Sequence, residues 1–233
     1  TFPPDQAFAL ARYNADGSLD SGFSGDGRLT TEFAGWSSHG EGVAVQADGK
    51  IVVAGGAIDT GGGVFDFALA RYDSDGTLDS TFSGDGKLTT DLGDDDTAYA
   101  VAIQADGKIV VAGESVAGVG LVRYASDGSL DGTFGNGGIV TVVPTGSETG
   151  AYLGSAMTLQ DDGKILVAGY RNHAELDLSD PYHPTYKTYF DFATLRFNVD
   201  GSLDTSFASD GIAVTDLGTD FDEAGGIVVQ SDG

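Results

Sequence analysis

Short apolar runs separated by glycine-containing turns fill the chain from end to end, and four of them repeat as a phrase. They are Phe8-Ala-Leu-Ala-Arg-Tyr13, Phe67-Ala-Leu-Ala-Arg-Tyr72, Gly120-Leu-Val-Arg-Tyr124 and Phe192-Ala-Thr-Leu-Arg-Phe197. Each runs into an Asp-Gly turn that closes on an aspartate: Asn14–Asp20, Asp73–Asp79, Ala125–Asp131 and Asn198–Asp204. A phenylalanine follows three residues later, at Phe23, Phe82, Phe134 and Phe207. A further apolar phrase ends at Gln46, Gln104, Gln160 and Gln230. In the first three copies it continues through Asp-Gly-Lys into Ile51–Gly55, Ile109–Gly113 and Ile165–Gly169.

The periods here are those of strands. Asp-Gly between two apolar runs is a strong hairpin signal, because the turn needs positive φ. Val- and Ile-rich runs bounded by Gly and Asp suit strands buried on both faces. No amphipathic helical pattern stands out. Each copy reads as four strands: the Ala-Leu-Ala-Arg-Tyr run, a second typified by Gly27–Phe33, the Val-Ala-Val-Gln run, and the Ile-Val-Val-Ala-Gly run. The marker aromatic recurs at spacings of 59, 52 and 73 residues. Four strands per unit of that length predict an all-β protein of β-propeller-like units, either four blades or part of a larger propeller. A stacked β-solenoid is the alternative.

The phrases Phe-Ala-Leu-Ala-Arg-Tyr, Asp-Gly-Ser-Leu-Asp and Val-Gln-Ala-Asp-Gly-Lys-Ile-Val-Val-Ala-Gly resemble the delta-60 repeat family of bacterial proteins. The resemblance spans nearly the whole chain. It implies a propeller-like protein, secreted or attached to the cell surface, and brings no catalytic residues with it. Residues 1–233 then form a single repeat domain with units near 7–65, 66–118, 119–190 and 191–233. The third carries an insertion at 171–190, and the fourth stops where its last strand is expected. Fifteen strands are expected where sixteen would fill four blades, which leaves an open sheet edge. The expectation is that the sequence belongs to a larger ring, or that a second copy completes the sheet.

Composition narrows the partners. Acidic residues number 36 against 11 basic, a net charge of −25, which repels phosphate backbones and anionic lipid heads. Nucleic acid and membrane insertion are therefore not expected, and no apolar run approaches the roughly 18 residues of a span. There is no cysteine, so disulfides and thiolate chemistry are absent. The 37 glycines fit many tight turns.

Candidate chemistry is sparse. An arginine among apolar residues is costly unless paired, so Arg12, Arg71, Arg123 and Arg196 are expected to pair with Asp20, Asp79, Asp131 and Asp204 as structural staples. No cofactor is required. Calcium is a candidate at Asp73, Asp75 and Asp79, whose alternating oxygens around a glycine suit a hard cation. The run Asp94–Asp96 is a weaker calcium candidate and reads first as a solvated loop. The insertion reads as an aromatic loop, with Tyr182, His183, Tyr186 and Tyr189 as candidate ligand contacts for a glycan. His173 and His183 with Asp177 or Asp180 are a weaker metal set.

There are three histidines, and no serine sits in a Gly-x-Ser-x-Gly elbow, so an enzyme is not expected. The expectation is a non-catalytic extracellular or cell-surface module acting by self-association or adhesion. A carbohydrate-binding or calcium-dependent adhesive module is one alternative, and a propeller-type polysaccharide hydrolase or lyase is another.

Overall fold

The computed structural model describes residues 6–33, 35–59, 63–93, 95–116, 118–142, 152–177 and 185–231. Fourteen β-strands and no helix occur among them. β1 (Phe8–Ala11) and β2 (Arg28–Thr31) form a two-stranded antiparallel sheet. β3 (Trp36–Val45), β4 (Ile51–Asp59), β5 (Phe65–Tyr72) and β6 (Lys87–Thr90) lie in that spatial order in a second sheet. β7 (Thr97–Ile103), β8 (Ile109–Ser115), β9 (Gly118–Tyr124) and β10 (Ile139–Val142) make the third. β11 (Tyr152–Leu159), β12 (Ile165–Asp177), β13 (Thr185–Phe197) and β14 (Ile212–Thr215) make the fourth. Neighbours in sequence are neighbours in space throughout, as in an antiparallel meander.

The sheets and the sequence units are out of phase. Each four-stranded sheet takes two strands from the end of one unit and two from the start of the next. Ile51 pairs with Tyr72 and Ile58 with Phe65, so the Ile-Val-Val-Ala-Gly strand of one copy is sewn to the Phe-Ala-Leu-Ala-Arg-Tyr strand of the following copy. The strand after it, β6, closes the sheet at its far edge.

Close backbone approach fixes one glycine in the β3–β4 hairpin. A Cβ on Gly55 would lie 1.9 Å from the His39 carbonyl oxygen, beside the register shift between Gly40 and Gly42. Only glycine fits against a bulge packed that tightly.

Two compact units divide the chain, Thr1–Val111 with Arg123–Asp131, and Ala112–Val122 with Gly132–Gly233. In the first unit, the face of the two-stranded sheet carrying Phe8, with Phe23 and Phe33, packs onto Ile51, Val53, Ala57, Ala68, Ala70 and Tyr72 of the second sheet. All nine are buried, and each large side chain removed from water in this way contributes about 1.5–3 kcal/mol. In the second unit, Ile165, Val167, Ala193, Leu195 and Phe197 form the buried face of the fourth sheet.

Two sequence expectations change here. The described residues of the insertion, 171–177 and 185–190, extend a hairpin and are not an irregular loop: β12 and β13 stay in register from Ile165↔Phe197 out to Asp177↔Thr185. Alternating residues that read as aromatic-rich and polar are the two faces of a paired ribbon. The fifteenth strand, Gly226–Gln230, is not formed among the described residues, and its Val228 is 86% exposed.

Candidate interaction site

The Asp-Gly turns are built alike. In the first, Gly17 N–H donates to the Asn14 carbonyl (2.9 Å) and Asn14 N–H to the Ser18 carbonyl (2.8 Å). Asp16 Oδ1 accepts from Ser18 N–H (2.9 Å) and from the Ser18 hydroxyl (2.6 Å). Asp75 with Thr77, Asp127 with Ser129, and Asp200 with Ser202 repeat this pair of bonds. The hydroxyl and N–H of residue 18 hold the Asp16 carboxyl below its ordinary pKa, and Thr77 N–H and hydroxyl do the same for Asp75.

The aspartate closing each turn meets the arginine of the preceding strand. Arg12 and Asp20 are 2.8 Å apart, Arg71 and Asp79 2.7 Å, Arg123 and Asp131 2.8 Å, and Arg196 and Asp204 2.8 Å. A third member was not apparent from the sequence. The lysines of the Asp-Gly-Lys hairpins reach the same carboxylates: Lys50 to Asp79 at 3.0 Å, Lys108 to Asp131 at 3.0 Å and Lys164 to Asp204 at 3.1 Å. Their signal was the lysine recurring after every such hairpin. Burial opposes ionisation of Asp79, but the Thr81 hydroxyl, Lys50 and Arg71 hold its carboxyl far below the usual carboxylate range.

The first two pairs also grip the next turn. Arg12 Nη1 donates to the Ser74 carbonyl, and Arg71 Nη1 to the Ser126 carbonyl at 2.5 Å. The guanidinium carbon lies over the following phenylalanine, 4.8 Å from the Phe23 centroid for Arg12 and 4.7 Å from Phe82 for Arg71. That ring sits under the next Asp-Gly turn. A Cβ on Gly76 would be 3.0 Å from Phe23, on Gly128 3.0 Å from Phe82, and on Gly201 2.9 Å from Phe134. The residue after the ring donates to the incoming turn: Ser24 N–H to the Asp75 carbonyl (2.7 Å), Ser83 to Asp127 (2.8 Å), Gly135 to Asp200 (2.8 Å). Finally, Tyr72 hydroxyl donates to Thr31 Oγ1 at 2.7 Å, and the Tyr124 and Thr90 hydroxyls are 2.7 Å apart. The repeat thus carries a clasp that joins one copy to the next.

The other predicted residues fare differently. Asp73 and Asp79 are brought together, but around Lys50, whose ammonium is 2.5 Å from Asp73 and 3.0 Å from Asp79. That ammonium supplies the positive charge calcium would bring, while Asp75 is engaged by Thr77. Tyr182 and His183 lie outside the described residues, as does Asp180. Tyr186 is 76% exposed on the hairpin extension, opposite Leu176, and Tyr189 stacks on His173 with centroids 5.5 Å apart. His173 Nδ1 lies 3.2 Å from Asp191, which also meets Arg171 at 2.7 Å.

The acidic run is not wholly a solvated loop. Asp96 is fully buried and accepts from Leu92 N–H (2.7 Å), and Asp95 accepts from Phe65 N–H (3.0 Å), while Asp94 lies outside the described residues. Carboxylate oxygens of Asp66, Asp91 and Asp96 lie within 4.8 Å of one another. The fourth sheet has the same placement with a counter-charge: Asp191 faces Arg171 across β12–β13, where Asp66 faces Ala57 across β4–β5. Burial, then Asp91, raises the Asp66 carboxyl above its ordinary pKa.

Four segments of the chain, residues 4–23, 46–82, 104–134 and 184–207, match a family described as a domain of unknown function (DUF5122) β-propeller. The fold is all-β and β-propeller-like, built of tandem four-stranded sheets. The matched segments end on Phe23, Phe82, Phe134 and Phe207, the rings of the clasp, so the pattern shared with the family contains the contacts that join successive copies. No curated protein matches the chain.

Proposed function

We propose that this propeller repeat is a non-catalytic structural module of the delta-60 type that acts by self-association at the outer surface of a bacterial cell. The observation that carries the reading is the half-built first sheet: among the described residues β1 and β2 pair only with each other, where the other sheets have four strands. The free edge of β1 offers main-chain groups that a strand from a neighbour can take up. Gly226–Gln230, a copy of the strand phrase that pairs in the three other units, lies partly exposed and outside any sheet among the described residues. Main-chain pairing gives affinity without special side chains. Sedimentation velocity on the purified chain over a wide concentration range tests this. Concentration-dependent growth in mass supports it, and a monomer at every concentration rejects it.

A second reading, glycan adhesion, draws on the β12–β13 extension. Tyr186 is largely exposed on a ribbon whose pairing runs out to Asp177↔Thr185, and rings on rigid supports give contact area at low entropic cost. Glycan binding that persists unchanged after Tyr182, Tyr186 and Tyr189 are replaced by alanine would dismiss it.

A further inference from the structure

The clasp has a giving side and a receiving side, and the chain carries one unused copy of each. On the giving side stand the marker tyrosine and the Asp-Gly turn that follows it. On the receiving side stand a phenylalanine, the residue after it, and a threonine at the end of the second strand. Tyr72 and its turn meet Phe23, Ser24 and Thr31. Tyr124 and its turn meet Phe82, Ser83 and Thr90.

Among the described residues the first copy gives to nothing. Tyr13 is 63% exposed, where Tyr72 and Tyr124 are 1% exposed. A Cβ on Gly17 would meet no heavy atom within 4 Å, where Gly76, Gly128 and Gly201 each sit against a ring. Among the described residues the fourth copy receives nothing. Phe207 is half-buried where Phe23, Phe82 and Phe134 are buried. Ala208 nonetheless holds φ 51°, the left-handed conformation of Ser24 (51°) and Ser83 (53°), and its N–H has no acceptor among the described residues. A non-glycine residue in that conformation without a local reason is strain held ready. Arg196 lies 4.7 Å from the Phe207 centroid, as Arg71 does from Phe82.

The hydroxyls identify the occupant. Thr215 pairs with Phe192 as Thr31 does with Phe8 and Thr90 with Phe67, so it holds the position that receives a tyrosine hydroxyl, and it is exposed. At the third joint the two positions are Phe197 and Val142, which lack hydroxyls on both sides. The unused receiver restores threonine, and the unused giver is a tyrosine. We infer that a second copy of this chain docks head to tail, its Tyr13–Leu19 turn seated on Phe207, Ala208 and Thr215 of the first. Arg196 then meets the Ala15 carbonyl of the incoming turn, as Arg12 meets Ser74. Such a contact is heterologous and propagates unless its rotation closes a ring.

This inference rests on the self-association reading and names the surface. Its test uses the full chain with Tyr13→Glu, which spoils the giver, and Thr215→Glu, which spoils the receiver. Both positions are exposed, so both variants fold, and far-ultraviolet circular dichroism checks that. At about 0.15 M salt, where long-range repulsion is largely screened, the wild type forms chains. Each variant alone loses association at least about tenfold. Mixed one to one, they form dimers and nothing longer, because one good giver meets one good receiver. Variants that assemble like the wild type overturn this interface and leave self-association standing. A wild type that stays monomeric with Tyr13 open to nitration overturns self-association itself. A monomer whose Tyr13 is protected, and becomes reactive in Thr215→Glu, shows the chain closing on itself and also overturns docking by a second copy.

Discussion

Asp79 and Asp20 hold the same position in the repeat and differ in their surroundings. The Asp79 and Arg71 side chains are 3% and 5% exposed, and Lys50 joins them; Asp20 and Arg12 are 29% and 34% exposed. Removing one partner of a buried pair strands the other charge in a poor solvent, so Asp79→Asn should cost about 3–5 kcal/mol. Asp20→Asn should cost much less, because water screens what remains. Urea midpoints at unchanged slope measure both. Equal losses would mean that burial does not set the value of the pair. The same logic has a pH dependence. The depressed pKa of Asp79 gives stability that is present above the ordinary carboxylate value near about 4 and is lost as acid carries the pH down towards the depressed one. Tyr72 works at the other end of the scale. Burial, only partly offset by its bond to Thr31, raises its hydroxyl to about 12, so the stability that the neutral ring lends is complete below pH 10 and is lost as the pH climbs through 12. Tyr72→Phe should give up about 1 kcal/mol at neutral pH and flatten the alkaline limb of the stability curve. A variant that loses stability above pH 10 as steeply as the wild type would place that sensitivity elsewhere.

Between elements, the turns and rings separate two roles of glycine that one substitution usually confounds. Gly17 and Gly76 both have positive φ, 85° and 91°, so alanine strains the backbone alike at either. Only Gly76 has a ring 3.0 Å from the place a Cβ would take. Gly76→Ala should therefore lose about 1–3 kcal/mol more than Gly17→Ala, the cost of overpacking Phe23. Thermal melts of the two variants give the difference directly, and equal melting points would mean the ring yields freely. Much of this level could be read in advance. The Asp-Gly turns, the strand runs and the arginine facing an aspartate eight residues on all follow from local chemistry. The phase of the sheets did not, because a repeated phrase gives the period of a structure and is silent on where one sheet ends. The choice is made by pairing: Ile51 to Tyr72 crosses the boundary that the marker phrase suggests. The lysine of the clasp was hidden for a related reason. Lys50 is 29 residues from Asp79 in sequence and meets it only after β4 pairs with β5. The insertion misled through composition, since prolines and rings suggest a loop while alternation along the two arms supports a ribbon.

For the whole molecule the dominant quantity is a net charge of −25 on 233 residues. Two effects of salt then compete. Screening weakens ion pairs, and it also relieves the mutual repulsion of the excess carboxylates. The clasp pairs are sheltered: Asp79, Asp131 and Asp204 are 3%, 10% and 8% exposed, so salt reaches them poorly. Most of the surplus acids stand in water, where screening acts fully. The repulsion should lose more than the pairs do. Raising sodium chloride from about 10 mM to about 0.5 M, which shortens the screening length from roughly 30 Å to under 8 Å, should raise the melting temperature. It should also favour association, since two like-charged copies approach each other at the joint. Asp66 offers an internal check, because a half-buried carboxylate crowded by Asp91 and the buried Asp96 is repulsion at short range that salt relieves only in part. Asp66→Asn should stabilise the chain at neutral pH in both low and high salt. Scanning fluorimetry across the salt series decides the matter: a melting temperature that falls as salt is added would show that attraction between charges, and not their surplus, governs the fold.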